Sequence, residues 1–198
     1  MLLSLIDICT IFIRDNWPKD NIMSSNFLPL VSNDVIKSAL ASGDNDQLYE
    51  ILVQPLHEEL YRRSTFDFLD DLSDGQQLLL TYDYLRTQVG QGGFIQFIHN
   101  GYVGLLPSMI EQLFLVGAAD MARVLDDVLK VYVLNLDLLN KAKSVQEFAQ
   151  LYDELKEFEV IEIQYNAVKL DAIKKMLEYA AGHLDQFVKT SEPLKGNQ

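Results

Sequence analysis

The chain has 198 residues, 48% of them apolar and 23% charged, with 10 glycines and 5 prolines, which excludes wholesale disorder, collagen and low-complexity sequence. Twenty-nine acids against 16 bases leave a net charge of -13, which excludes a general basic attraction to nucleic acid or anionic lipid. Cys9 is the only cysteine, so an intrachain disulfide and a zinc site of several thiolates are excluded too.

Residues 1–13, MLLSLIDICTIFI, are apolar, but Asp7 interrupts them and they fall short of the about 20 residues that cross a bilayer. No Lys or Arg precedes the run and no small-residue cleavage pattern follows. It therefore reads as an apolar helix packed on its own domain or on a second copy, not as a signal peptide. Met23 offers an alternative start. Ser32, Asn33 and Asp34 offer capping oxygens to a helix, VIKSALAS, that Gly43 can close in the left-handed conformation. A second segment begins near Asp46, and Pro55 breaks it or starts the next helix. LHEELYRRSTFDFLDDL then sets Leu56, Leu60, Tyr61 and Ser64 at helical spacing, with Phe68 one turn later. Glu58–Arg62 and Glu59–Arg63 are i,i+4 pairs on its outer face, each worth about 0.2–0.5 kcal/mol.

Ser73-Asp74-Gly75-Gln76 is a capping box opening the helix QQLLLTYDYLRTQV, which stops at Gly90. Gly92 and Gly93 precede a short apolar helix, FIQFIHN, and Gly101 and Gly104 form another loop. Pro107 sits in a first helical turn; Ile110, Leu113, Phe114 and Gly117 follow on one face, with Gly117 as the stop. A helix from Ala119 to about Leu134 turns Val124, Leu125, Val128, Leu129 and Tyr132 inward, and 135–143 read as a loop or weak extension. Ser144-Val145-Gln146-Glu147 is a second capping box, for a helix with Phe148, Leu151, Tyr152 and Leu155 as core. EFEVIEIQY alternates with period two, yet no strand candidate could pair with it, so it too reads as helix. A last helix over about 170–189 presents Ile173, Leu177, Ala180, Leu184 and Phe187. The expected fold is all-α, one compact array of about eight helices. Residues 1–30 form an extension or apolar helix, 31–190 the helical domain and 191–198 a tail.

The charge is uneven. Residues 44–83 hold ten acids and two bases. Asp67, Asp70, Asp71 and Asp74 lie three or four apart with no base between them; on an α-helix their carboxylates would crowd to about 5–6 Å. With Glu58 and Glu59 they make the candidate acidic face, although solubility is the ordinary use of such runs, and Asp74 also suits the N-terminal dipole of the next helix.

Other chemistry is missing. His57, His99 and His183 are far apart, and there is no H-x-x-x-H, H-E-x-x-H or C-x-x-C. Cys9 sits in an apolar run and reads as structural. Gly90-Gln91-Gly92-Gly93 lacks the Lys-Ser/Thr of a phosphate loop. A helix-turn-helix over Leu113–Leu129 would set Arg123 and Lys130 against Asp120, Asp126 and Asp127, the wrong sign for DNA. No catalytic residue, cofactor or metal ligand is expected.

One motif is more specific. Val89, Gly92, Gly93, Phe94, Gln96, Phe97 and Asn100, followed by Val116, Gly117 and Ala118, resemble the core of the neisserial DNA-mimic protein family, Val-x-Asn-Gly-Gly-Phe-x-Gln-Phe-Phe-x-Asn and then Ile-Gly-Ala. Gln91 replaces the usual Asn, and Ile98 a frequent second Phe. The likeness covers 74–132 well and 145–188 more loosely. The resemblance implies a helical domain in which Gly92, Gly93, Phe94, Gln96, Phe97, Asn100 and Gly117 are structural. It also implies a non-enzymatic, cytoplasmic acidic protein that occupies the basic DNA-binding surface of a transcription factor or other DNA-binding protein. No direct nucleic-acid contact, no membrane and a homodimer complete the expectation. The alternative is an immunity-type or scaffold interaction protein without DNA-like geometry.

Charge bounds the mimicry. A compact chain this long has a radius of gyration of roughly 16 Å and spans about 40 Å. Duplex DNA of that length carries roughly 24 phosphates, about twice this net charge. Mimicry therefore requires the charge on one face, or two copies.

Overall fold

A computed structural model describes residues 27–141 and 144–191. In chain order they form β1 (Leu30–Ser32), α1 (Asn33–Ser42), α2 (Asn45–Arg63), α3 (Asp74–His99), α4 (Leu106–Leu115), α5 (Ala119–Leu134), α6 (Leu136–Lys141), α7 (Val145–Glu154), α8 (Glu157–Gly182) and β2 (Lys189–Ser191). Short 3-10 turns occur at Phe66–Asp71, Tyr102–Leu105 and Leu184–Gln186. The fold is all-α. The chain divides into two compact units with boundaries inside α3 and α8; their described residues are 27–83 with 173–191, and 84–141 with 144–172. The N-terminal apolar run, Met23 and the chain beyond Ser191 lie outside the described residues.

In the unit of 27–83 and 173–191, Gly43 closes α1 at φ 67, and the Asp44 carboxylate caps α2 by accepting the Gln47 N–H at 3.0 Å. Pro55 neither breaks nor starts a helix; α2 runs through it. Leu48, Tyr49, Leu52 and Val53 before the proline and Leu56 and Leu60 after it are all buried. That burial outweighs the donor the proline lacks. The helix ends at Ser64 in the left-handed conformation, and Thr65 caps a separate 3-10 turn, so the helical spacing does not extend to Phe68. Glu59 takes both Arg62 and Arg63 as ion-pair partners, while Glu58 accepts from Gln54 instead of meeting Arg62.

The capping box at the start of α3 is formed. Gln76 N–H donates to Ser73 Oγ at 3.2 Å, and Ser73 N–H to Gln76 Oε1 at 3.0 Å. The buried Gln76 amide also donates to the carbonyls of Phe27 at 3.0 Å and Phe187 at 2.9 Å. The Phe187 ring occupies the space a Cβ on Gly75 would need. β1 and β2 then pair in parallel, Leu30 with Lys189 through Ser32 with Ser191. This pair corrects the sequence reading, which has no strand and carries the last helix to 189. Three residues per strand are too few to show a period.

In the unit of 84–141 and 144–172, α3 passes Gly90 without stopping and kinks at Gly92 (φ -159) and Gly93 (φ 69), setting Phe94–His99 apart as a second helical segment. Phe94 and Phe97 are fully buried, and the Phe94 ring meets Tyr165 edge-on at 5.6 Å. α4 and α5 pack together across Gly117 (φ 79). The buried face of α4 is Leu106, Met109, Gln112 and Leu113; Phe114, placed inward by the sequence reading, is 47% exposed. Residues 136–141, within the stretch read as a loop or weak extension, form α6, and the alternating stretch at 157–165 lies within α8. Ser144 and Glu147 form the second capping box.

Candidate protein-binding face

The acidic cluster sits on the 3-10 turn, which has three residues per turn and a rise of about 2.0 Å. Residues 67 and 70 therefore eclipse one another about 6 Å apart, and residue 71 is rotated by a third of a turn. Accordingly Asp67 and Asp70 are exposed, while Asp71 is half-buried and paired with Arg63. The Arg63 guanidinium also lies 2.8 Å from Glu59 and 4.7 Å above the Phe68 ring. Hydrogen bonds from Arg62 and Arg63 lower the Glu59 carboxyl to about 2. The six expected carboxylates thus divide. Glu59 and Asp71 belong to an ion-pair network, and Glu58, Asp67, Asp70 and Asp74 are exposed. Among the described residues none of these four forms an ion pair. Asp74 lies in the first turn of α3, where the helix dipole favours a carboxylate. Burial, and then the charge of Asp74, raises the Tyr179 hydroxyl above its ordinary range.

Two aromatic residues are exposed in the same stretch of chain. Tyr61 is 75% exposed and Phe66 48% exposed. The sequence reading set Tyr61 in the helical spacing of Leu56 and Leu60, but one residue beyond Leu60 lies 100° around the helix. That offset was the available signal.

The glycine motif is held differently. Phe94 N–H donates to the Glu162 carboxylate at 3.0 Å, and the Tyr152 hydroxyl donates to the Gly92 carbonyl at 2.7 Å. The Gln96 amide donates to the side chains of Gln88 at 3.3 Å and Gln91 at 3.2 Å, and Asn100 donates to Gln88 at 2.6 Å. The His99 ring rests 4.4 Å from that of Phe148. The motif residues fill the core, fasten a helix kink or, at Gly117, turn the chain between α4 and α5. Glu162 and Tyr152, which complete the arrangement, were not singled out as site residues by sequence. Among the described residues, no three His, Cys, Asp or Glu side chains gather where a metal could be held, and no helix is long and apolar enough to cross a membrane.

The kinked α3, the α4–α5 pair and α8 fall within one family match: the DMP19-like protein family matches residues 70–183, more than half of the chain. The chain belongs to the DMP19-like protein family. This bears out the resemblance read from the glycine motif and is consistent with a DNA-mimic family. The DMP19-like region includes Asp70, Asp71, Asp74 and the whole glycine motif; Glu58, Glu59, Tyr61 and Asp67 precede it. No match was found among curated proteins.

Proposed function

We propose that the protein binds a basic protein surface through Glu58, Asp67, Asp70 and Asp74, acting as a DNA mimic of the DMP19-like kind. The supporting observation is the 3-10 turn, where Asp67 and Asp70 repeat at about 6 Å on one side with no base between them. One DNA strand advances about 3.4 Å per charge, so the turn carries roughly half that linear density. Tyr61, exposed one helical turn after Glu58, adds an aromatic contact suited to the Arg and Lys side chains of a DNA-binding protein.

The net charge of one chain is about half that of a duplex of equal length, which favours a homodimer presenting two such faces. Repulsion keeps its interface away from 44–83. The apolar stripe of Val160, Ile163 and Leu170 on α8, 58%, 71% and 74% exposed, is the surface we assign to it. The test is capture of a DNA-binding partner followed by competition. A DNA mimic and DNA displace one another from that partner. A partner that holds both at once leaves a plain scaffold or immunity-type interaction.

A further inference from the structure

The turn between α1 and α2 and the C-terminal part of α8 border an open groove of about 150 Å³. Its floor is Ala39, Leu48 and Leu177, all nearly fully buried. Leu40 forms a lip, 38% exposed, and the exposed Asp44 and Glu178 stand on the rim. The Asp44 carboxylate accepts the Gln47 N–H at 3.0 Å. Glu178 faces Lys174 at 3.7 Å, an exposed pair of the kind that contributes little. The groove is open to solvent and has room for one side chain.

We propose that this groove takes one leucine-sized or aromatic side chain from a basic segment of the partner protein, with flanking Lys or Arg residues meeting Asp44 and Glu178. The inference rests on the reading of the partner as a basic protein. It adds what charge alone does not give, because an apolar floor offers nothing to a phosphate and a great deal to a protein side chain. Salt screens the carboxylate contacts but leaves apolar burial in place. The groove therefore supplies the part of the affinity that survives high salt.

The probes are two fluorescein-labelled peptides, one with a central Leu flanked by Arg residues and one with Ser in place of that Leu. Anisotropy titrations of the full chain should give at least about tenfold tighter binding of the Leu peptide, the minimum expected for burying that side chain. Both affinities should fall with salt while their ratio holds. Ala181→Phe, which fills the groove, should bring the ratio to about one and leave the Ser peptide unaffected. Leu40→Ser, at the exposed lip, should lower the ratio without touching the buried floor, so the test survives a folding defect in the first variant. Salt-sensitive binding with no Leu preference overturns the groove and leaves the acidic-face reading standing. Leu preference retained in both variants puts the contact elsewhere and also overturns it. A wild-type dimer that Ala181→Phe dissociates assigns the groove to a second copy. Failure of both peptides to bind overturns the groove and the basic-partner reading together.

Discussion

The Glu162 carboxylate accepts the Phe94 N–H at 3.0 Å, one residue after Gly93 leaves the helical conformation. That kink turns the Phe94 N–H into an orphan donor at a new helix N-terminus. A charged acceptor there answers both the hydrogen bond and the dipole. The Tyr152 hydroxyl donates to the Gly92 carbonyl, and burial, then the charge of Glu162, raises it above its ordinary range. Glu162→Ala should cost about 1–2 kcal/mol in urea unfolding, the range of a lost helix cap, and Glu162→Gln less, since it keeps an acceptor. Equal stability of all three proteins would show that the cap contributes nothing.

The two glycines should not respond alike. Gly93, at φ 69 and ψ -171, occupies a region essentially reserved for glycine, and the Glu162 carboxylate fills the place of its Cβ. Gly93→Ala should lose about 2 kcal/mol or more, lowering Tm by roughly 5 °C. Gly92, at φ -159, lies outside the left-handed region, and its Cβ would meet the side chain of Gln96, whose amide end can swing away, instead of a carboxylate held by a second helix. Gly92→Ala should therefore lose less. Calorimetry that ranks them the other way contradicts this account.

What the sequence could and could not show follows from range. Ser73–Gln76 and Ser144–Glu147 were legible because both partners lie within one turn. The glycine pair was legible as a break, but Glu162, its cap, lies 68 positions from Phe94 and leaves no local mark. The parallel pairing of Leu30 with Lys189 is equally remote. Spacings of three and four placed Asp67, Asp70, Asp71 and Asp74 together on the assumption of an α-helix. The 3-10 turn keeps residues 67 and 70 in line and swings Asp71 towards Arg63.

Glu59 should titrate far below an ordinary carboxyl. Arg62 and Arg63 hold it at about 2 in the folded protein against an ordinary 4.5. A lowered folded-state value contributes stability above the ordinary value, lost as pH falls from about 4.5 towards about 2. Carbon-detected NMR should find its midpoint near the lower figure, and Arg63→Met should move it upward. An ordinary midpoint in the wild type would dissolve the ion-pair network.

Self-association should depend on α8. Val160, Ile163 and Leu170 recur at intervals of three and seven, so they share one side of the helix. Ile163→Asp places a charge in that stripe at an exposed position, where the monomer tolerates it. Light scattering should find a dimer for the wild type and a monomer for the variant. A wild-type monomer at high concentration and moderate salt removes the dimer from the proposal.

Competition across a salt series separates mimicry from simple acidity. The complex with a DNA-binding partner should weaken as salt rises, because screening reduces attraction between opposite charges. DNA on the same partner should weaken faster. Its charge condenses counterions, and their release gives a slope near -0.9 per phosphate contact. Carboxylates at roughly half the strand density condense fewer, so less entropy is released, and the protein should gain on DNA as salt increases. Changing Asp67, Asp70 and Asp74 together to Lys should abolish binding while the helical circular dichroism persists, since exposed charges contribute little to stability. Asp71→Asn is the control. It removes the carboxylate that pairs with Arg63, so it should lower stability and spare binding. Binding retained by the triple variant, or lost in Asp71→Asn with the fold intact, would move the contact off the exposed side of the 3-10 turn.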